Sequence, residues 1–185
     1  MTETVQSILN VTEDMIRQGG YQGFSFRNIA DAIGIKSSSV HYHFETKEKL
    51  AAATARRYTD NFISALGDPE ELKSQGINPV THYINAFRNA IIADKGMCLC
   101  GILGSETPTL PVNIVKELDN FFNENTAWLE SAYEQINTTE NIKEKALQTL
   151  SLLEGAMMIT TTKSDLSFFD LSTKLILDEI NSENS

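Results

Sequence analysis

Apolar residues recur along this chain at three- and four-residue intervals in blocks of helical length, and glycine, proline or short polar clusters separate the blocks. The first block puts Val5, Ile8, Leu9, Thr12, Met15 and Ile16 on one face, predicting a helix from about Glu3 to Gln18 that Gly19-Gly20 ends. Phe26, Ile29, Ala30 and Ile33 follow Ser25, a capping residue, and predict a short helix broken at Gly34. Gly34-Ile35 supplies a sharp turn. Ser37 stands where it would cap a second short helix running to about Phe44, with Val40 and Phe44 facing the first. Thr46 then caps a long helix to about Leu66, striped by Leu50, Thr54, Tyr58, Phe62 and Leu66.

Gly67 to Pro79 is polar and reads as a loop with a helical turn at Glu70 to Lys73. Pro79 opens a helix whose Val80, Tyr83, Ile84, Phe87 and Ile91 share a face and which ends near Asp94. Met97 to Gly104 is apolar and glycine-punctuated, a short buried helix or irregular turn, with a break at Thr107 to Pro111. Three more helices are expected: Val112 to about Ile136, Ile142 to Thr162 with Gly155-Ala156 admitting a close neighbour, and Leu166 to Ile180. The expected fold class is all-α. The last two helices, with Leu147, Leu150, Leu153, Met157 and Met158, then Phe168, Phe169, Leu171, Leu175, Ile176 and Ile180, are apolar around more of their circumference than one packed face requires. That surplus predicts a homodimer through about 142–162 and 166–180.

The pair of short helices around Gly34 has helix-turn-helix spacing, and its outward residues suit DNA. A helix entering the major groove approaches base edges closely, so short polar side chains with a few longer donors serve it best. Ser38, Ser39, Tyr42 and His43 are such residues, placed to read bases or sugar-phosphate edges. Arg27, Lys36 and Lys47 are placed to hold flanking phosphates, with helix N-termini adding partial positive charge, and the capping serines Ser25 and Ser37 complete the DNA-binding set. Charge is distributed to match. The chain carries a formal net charge of −10, yet from Arg17 to Arg57 seven basic residues face three acidic ones. The negative balance therefore lies in residues 61–185, an acidic body that leaves the first segment to meet double-stranded DNA.

Phe24 to Leu50 resembles the DNA-binding domain of the TetR family of bacterial transcriptional regulators. The resemblance rests on the Gly20-Tyr21-Gln22-Gly23-Phe24 turn, on Ile29-Ala30-Asp31-Ala32-Ile33-Gly34, on the polar helix from Ser37 to Phe44, and on Lys47. Two positions depart from the pattern: His41 stands where a Tyr is usual and Glu45 where a Pro is usual. The resemblance implies a helix-turn-helix domain at 1–47, a connecting helix at 48–66, and a helical ligand-binding and dimerisation domain at 67–185. It implies a dimeric four-helix interface and a pocket for a small-molecule effector, most simply an inducer that releases a repressor from a palindromic operator. Aromatic and soft residues of the body are the candidate lining: Phe62, Tyr83, Phe87, Phe121, Phe122, Trp128, Met157 and Met158, with Asn125 as the polar group interrupting an aromatic face.

Other chemistries are weighed against this. Cys98 and Cys100 offer a thiol-based redox or electrophile sensor, placed with the candidate pocket, against the plainer reading of two core thiols. A cysteine-dependent enzyme finds no glycine-rich phosphate loop and no histidine near the thiols in sequence. A ligand-independent architectural DNA binder has no use for a large acidic body. No metal and no cofactor are expected, because two cysteines and His82 do not make a four-ligand zinc site. No charged-then-apolar leader is present and no apolar run approaches the ~20 residues of a membrane span, so a cytoplasmic protein with no membrane partner is expected.

Overall fold

A computed structural model describes residues 2–94, 96–136 and 141–183. The helices are α1 (Glu3–Gly19), α2 (Phe26–Ile33), α3 (Ser37–His43), α4 (Lys47–Leu66), α5 (Pro69–Ser74), α6 (Pro79–Asp94), α7 (Leu99–Ser105), α8 (Val112–Glu134), α9 (Ile142–Lys163) and α10 (Ser167–Glu183). Short 3-10 turns occupy Tyr21–Gly23 and Thr107–Thr109, and the described residues contain no strand, as the apolar periodicity requires. The helix ends follow local chemistry. Ser25 and Asp68 accept from first-turn amides of α2 and α5, and Gly34 ends α2 in the left-handed region at φ 72°. Thr46 caps the start of α4 by accepting from the Lys49 N–H at 3.2 Å.

Ser37 does not cap α3. It is the first helical residue, and Lys36, extended at φ −78° and ψ 142°, holds the capping position without a side-chain bond. With Lys36 extended in the capping position, the helix begins one residue earlier than a Ser37 cap would set it.

Two compact units form, one from Met1–Asn61 with Cys98–Phe121, the other from Phe62–Met97 with Phe122–Ser185. This division differs from boundaries at 47 and 66, which cut the chain into consecutive pieces. Cys98, Leu99, Cys100 and Leu103 are buried in the first unit, where α7 packs on α1, so a segment from the middle of the chain completes a core begun at its start. Ile8, Leu9 and Ile16 of α1, Phe24, Phe26 and Ile29 around α2, Val40 of α3, and Leu50 and Ala51 of α4 fill the rest of that core. Burying such a Leu or Ile side chain stabilises by about 1.5–3 kcal/mol.

In the second unit α9 and α10 pack on each other and both on α6. Leu150, Leu153, Ala156 and Met157 turn inward from α9, and Phe169, Thr173 and Ile180 from α10. Leu147, Met158 and Ile159 point outward from α9, and Leu171 and Leu175 from α10, the last at 81% exposure. Gly155 lies on the outward stripe. A Cβ there would meet nothing within 4 Å, so no helix of the same chain closes on it. Across the unit Arg88 grips Asp170 through two hydrogen bonds of 2.7 and 3.0 Å, and Lys145 reaches both carboxylate oxygens of Glu179 at 2.7 and 2.8 Å.

Within the first unit Arg57, 8% exposed, donates to Asn10 Oδ1 at 2.6 Å and to Glu13 Oε2 at 2.8 Å, tying α4 to α1. Replacing Glu13 by Ala leaves a buried guanidinium without its counter-charge. The Glu13→Ala variant is expected to lose about 2 kcal/mol in urea unfolding, below the range for fully buried pairs because Glu13 keeps some solvent contact. A loss under about 0.5 kcal/mol would show that water replaces the carboxylate.

Candidate DNA interface and effector region

The helix-turn-helix takes its geometry from three anchors. The Ser25 hydroxyl accepts from the Asn28 N–H at 3.2 Å and sets the start of α2. Gly34 takes a left-handed conformation that residues with a Cβ rarely adopt, and its N–H closes on the Ala30 carbonyl. Val40, fully buried, pins α3 inward. His41 packs edge-on against Phe26 with ring centroids 4.4 Å apart, so the aromatic contact expected of that position is made by an imidazole.

With Val40 inward, the opposite side of α3 faces solvent. Ser38 is exposed and Tyr42 is 84% exposed, whereas Ser37, Ser39 and His43 are half-buried. The rings of Tyr42 and His43 meet edge-on at 5.1 Å. Arg27 and Lys36 are exposed on either side of the turn, and Arg27 lies 4.0 Å from the carboxylate of Asp31. At that distance and exposure the pair holds the guanidinium only weakly.

Lys47 is held differently. Its ammonium lies 4.7 Å from the ring centroids of both Tyr21 and Phe24, a two-ring cation–π arrangement. Burial lowers the Lys47 pKa, while the carboxylate of Glu106 pulls it back up. Glu106 also accepts from the Tyr21 backbone N–H at 3.0 Å, and burial raises the Tyr21 hydroxyl above its ordinary value. Gly20, at φ 63° and ψ −159°, brings the turn so close that an added Cβ would sit 1.8 Å from a Glu106 carboxylate oxygen. Sequence reasoning missed Glu106 because it lies 85 residues from its partner, and no local pattern marks it.

The candidate effector residues divide between the units. Phe62, Tyr83, Phe87 and Trp128 form one ring cluster in the second unit, with Phe62 at 5.8 Å from Tyr83 and 5.5 Å from Phe87. Tyr83 lies 5.4 Å from Phe87 and 5.2 Å from Trp128. Asn125, fully buried, accepts the Tyr83 hydroxyl at 2.5 Å. The Trp128 indole donates to the Gly67 carbonyl at 2.8 Å. Also in that unit, Phe122 is half-buried, Met157 is buried and Met158 is 52% exposed.

Cys98, Cys100 and Phe121 belong to the first unit instead. Both thiols are at most 1% exposed, and Cys98 Sγ accepts from the Gly101 N–H at 3.4 Å at the start of α7. Beside them the Tyr58 hydroxyl is pushed well above its usual pKa, first by burial and then by Cys98, and its ring lies 5.9 Å from that of Phe121. Among the described residues no cluster of three or more His, Cys, Asp or Glu side chains could hold a metal ion. No described helix is long and apolar enough to cross a membrane.

Residues 8–54 match the profile of the bacterial regulatory proteins, tetR family. The solved structure of a TetR transcriptional regulator from Legionella pneumophila is similar at 31% identity, over 97% of this chain and 98% of that one, with a TM-score of 0.89. A TetR-family transcriptional regulator from Agrobacterium tumefaciens is similar at 27% identity over 95% and 96% of the two chains, with a TM-score of 0.81. Among curated proteins, the HTH-type transcriptional repressor KstR2 of Rhodococcus jostii (strain RHA1) is 28% identical over 71 residues, 38% of this chain. The match spans about a third of that repressor's length.

The contact of Glu106 with the Gly20 turn is open to a double-mutant cycle. Gly20→Ala alone meets both the carboxylate and a backbone conformation that favours glycine, and should lose more than about 1 kcal/mol of stability. In a Glu106→Ala background the steric part disappears, so the two losses should fall short of additivity by about 1 kcal/mol in chemical unfolding. Additive losses would mean that Glu106 moves aside without cost.

Proposed function

As this chain belongs to the TetR family of transcriptional regulators, we propose that it is a ligand-responsive repressor, a homodimer released from a palindromic operator by a small molecule. The observation that carries the reading is the outward face of α3. Val40 is completely buried on one side of that helix, and the other presents Ser38 and a Tyr42 that is 84% exposed, with Arg27 and Lys36 beside the turn. In this reading Ser38, Ser39, Tyr42 and His43 meet base or sugar-phosphate edges, and Ser25, Arg27, Lys36 and Ser37 hold phosphates. Lys47 contributes as a charge fixed between Tyr21 and Phe24 rather than as a freely swinging donor.

Dimerisation through α9 and α10 is supported by their exposed stripe of Leu147, Met158, Ile159, Phe168, Leu171 and Leu175. Single exposed apolar residues are ordinary, but a concentration of them on two adjacent helices marks an interaction surface. The open space over Gly155 fits close approach by a second copy's helix. A two-fold dimer presents two α3 helices to half-sites about one helical turn of DNA apart. An effector releases the operator only by binding more tightly to the state that does not fit it.

Thiol sensing draws no support from the cysteines, which are at most 1% exposed where a reactive thiolate needs access.

Mobility shift on the DNA upstream of the protein's own gene, across a salt series, tests the reading. Specific binding with a steep salt dependence is expected. Lys36→Ala should weaken binding to all sequences and reduce the salt slope by about one, whereas Tyr42→Ala should reduce discrimination between operator and random DNA with the slope kept. An unchanged slope in Lys36→Ala would remove that lysine from the phosphate contacts. Leu175→Asp places a charge on the stripe and is expected to yield a folded monomer in sedimentation, with operator affinity down at least about a hundredfold. A Leu175→Asp protein that stays dimeric would put the interface elsewhere.

A further inference from the structure

Threonines in helices commonly return their hydroxyl to the carbonyl four residues back, and four buried threonines among the described residues do so. Thr12, Thr54, Thr59 and Thr173 donate to Ile8, Leu50, Ala55 and Phe169 at 2.7 to 3.0 Å. Thr149 pairs instead with the Tyr133 hydroxyl at 2.7 Å. Thr160 and Thr161, at the end of α9, break the pattern. Thr160 is 2% exposed, and neither hydroxyl oxygen has a hydrogen-bond partner although both are out of contact with solvent. A buried hydroxyl without a partner destabilises the fold, so two in succession call for a partner from outside the chain.

Both threonines line a cavity of about 350 Å³, bounded by Ile91 and Ile92 of α6 and by the turn Ser164, Asp165 and Leu166 between α9 and α10. The size is within the range of small-molecule sites, and the wall is apolar apart from the hydroxyls and the turn. Ser164 takes a left-handed backbone at φ 54°, and its N–H and that of Asp165 bond the carbonyls of Thr161 and Thr160 at 3.3 Å. Those carbonyls are thus occupied by the helix end, and the hydroxyls remain the hydrogen-bonding groups that the threonines offer to an occupant. The Asp165 carboxylate, bonded by the Ser167 N–H at 2.9 Å and held below its usual pKa by Ser167, places a negative charge beside the opening.

We propose that this cavity is a binding site for a small neutral or cationic molecule with a compact apolar body and one hydrogen-bonding head, the head meeting Thr160 and Thr161 and the body Ile91, Ile92 and Leu166. The inference deepens the effector reading given above and rests on it only for the consequence of binding. It places the ligand at the α9–α10 turn, apart from the residues of the Phe62, Tyr83, Phe87 and Trp128 cluster. The hydroxyls can donate as well as accept, so an alcohol, phenol or amine head is matched, and Asp165 disfavours a carboxylate or phosphate there.

Calorimetric titration of the full-length protein with 2-naphthol and with naphthalene, in the absence of DNA, tests the site. The two probes share an apolar body and differ by one hydroxyl. Saturable binding is expected for both, with 2-naphthol about tenfold the tighter. Thr160→Val/Thr161→Val, which keeps side-chain shape, should collapse that preference to within about twofold while the thermal midpoint holds or rises, because an unpartnered hydroxyl is lost from each position. Ile91→Phe should fill the space and abolish both titrations, and Trp128→Phe in the aromatic cluster should change neither. Binding that persists in Ile91→Phe, a 2-naphthol preference that survives in the double valine variant, or the absence of saturable binding to the unaltered protein would each overturn the proposal. Operator binding, followed separately by mobility shift, reports on the regulator reading: a protein that binds 2-naphthol but no DNA retains the site and loses the repressor.

Discussion

Lys47 holds its ammonium between the rings of Tyr21 and Phe24, with the carboxylate of Glu106 drawn to the same place. A lysine at the start of a helix is ordinarily a mobile, hydrated charge, and its side-chain entropy is lost only where rings and a counter-charge compensate. Here they do, and the consequence is positional. The residue that opens α4 is locked to the turn that precedes α2, so the two ends of the helix-turn-helix share one anchor. The same carboxylate takes the Tyr21 N–H, which makes α7 part of that anchor. Gly20 is the steric condition of the arrangement, because a side chain there would occupy the space of Glu106.

Around this anchor the first unit leaves the outward face of α3, with Ser38 and Tyr42, open to solvent. Val40 commits one side of the helix to the core, His41 packs edge-on against Phe26 while remaining exposed, and Arg57 ties α4 to α1. A recognition surface needs that rigidity, since contacts to base edges discriminate only when side chains are held in register with them. The second unit has the opposite character. Its α9 and α10 are held together by packing and by the Lys145–Glu179 pair, yet they leave an apolar stripe uncovered and two threonine hydroxyls unpaired. An exposed apolar stripe and orphaned polar groups both cost stability in an isolated chain, and the two proposed partners, a second copy and a small molecule, would each relieve one of these costs.

Much of this was legible in the chain itself because the signals are local. Helix boundaries follow from three- and four-residue apolar spacing, from Ser25 and Thr46 as caps, and from Gly20 and Gly34 as stops, each acting within a few residues of where it is written. The surplus apolar character of α9 and α10 was likewise readable, although only packing shows that it separates into an inner face with Leu153 and Phe169 and an outer one with Met158 and Leu175. The capping role of Ser37 was misplaced by one residue, since a turn's length depends on the φ and ψ values taken by Gly34 and Ile35 and not on their identity alone.

The sequence by itself determined the all-helical architecture, the helix-turn-helix, and the charge asymmetry between the first segment and the rest of the chain. Those properties are sums of short-range preferences. Tertiary structure alone decided that Cys98, Cys100 and Phe121 join the first unit while Tyr83, Asn125 and Trp128 join the second, although all had been grouped in one candidate pocket. It alone brought Glu106 to Gly20 and Tyr21, and it alone left Thr160 and Thr161 unpaired beside Ile91. Pairings between residues far apart in the chain carry no local pattern, because they arise from how whole helices pack and not from the residues that happen to meet.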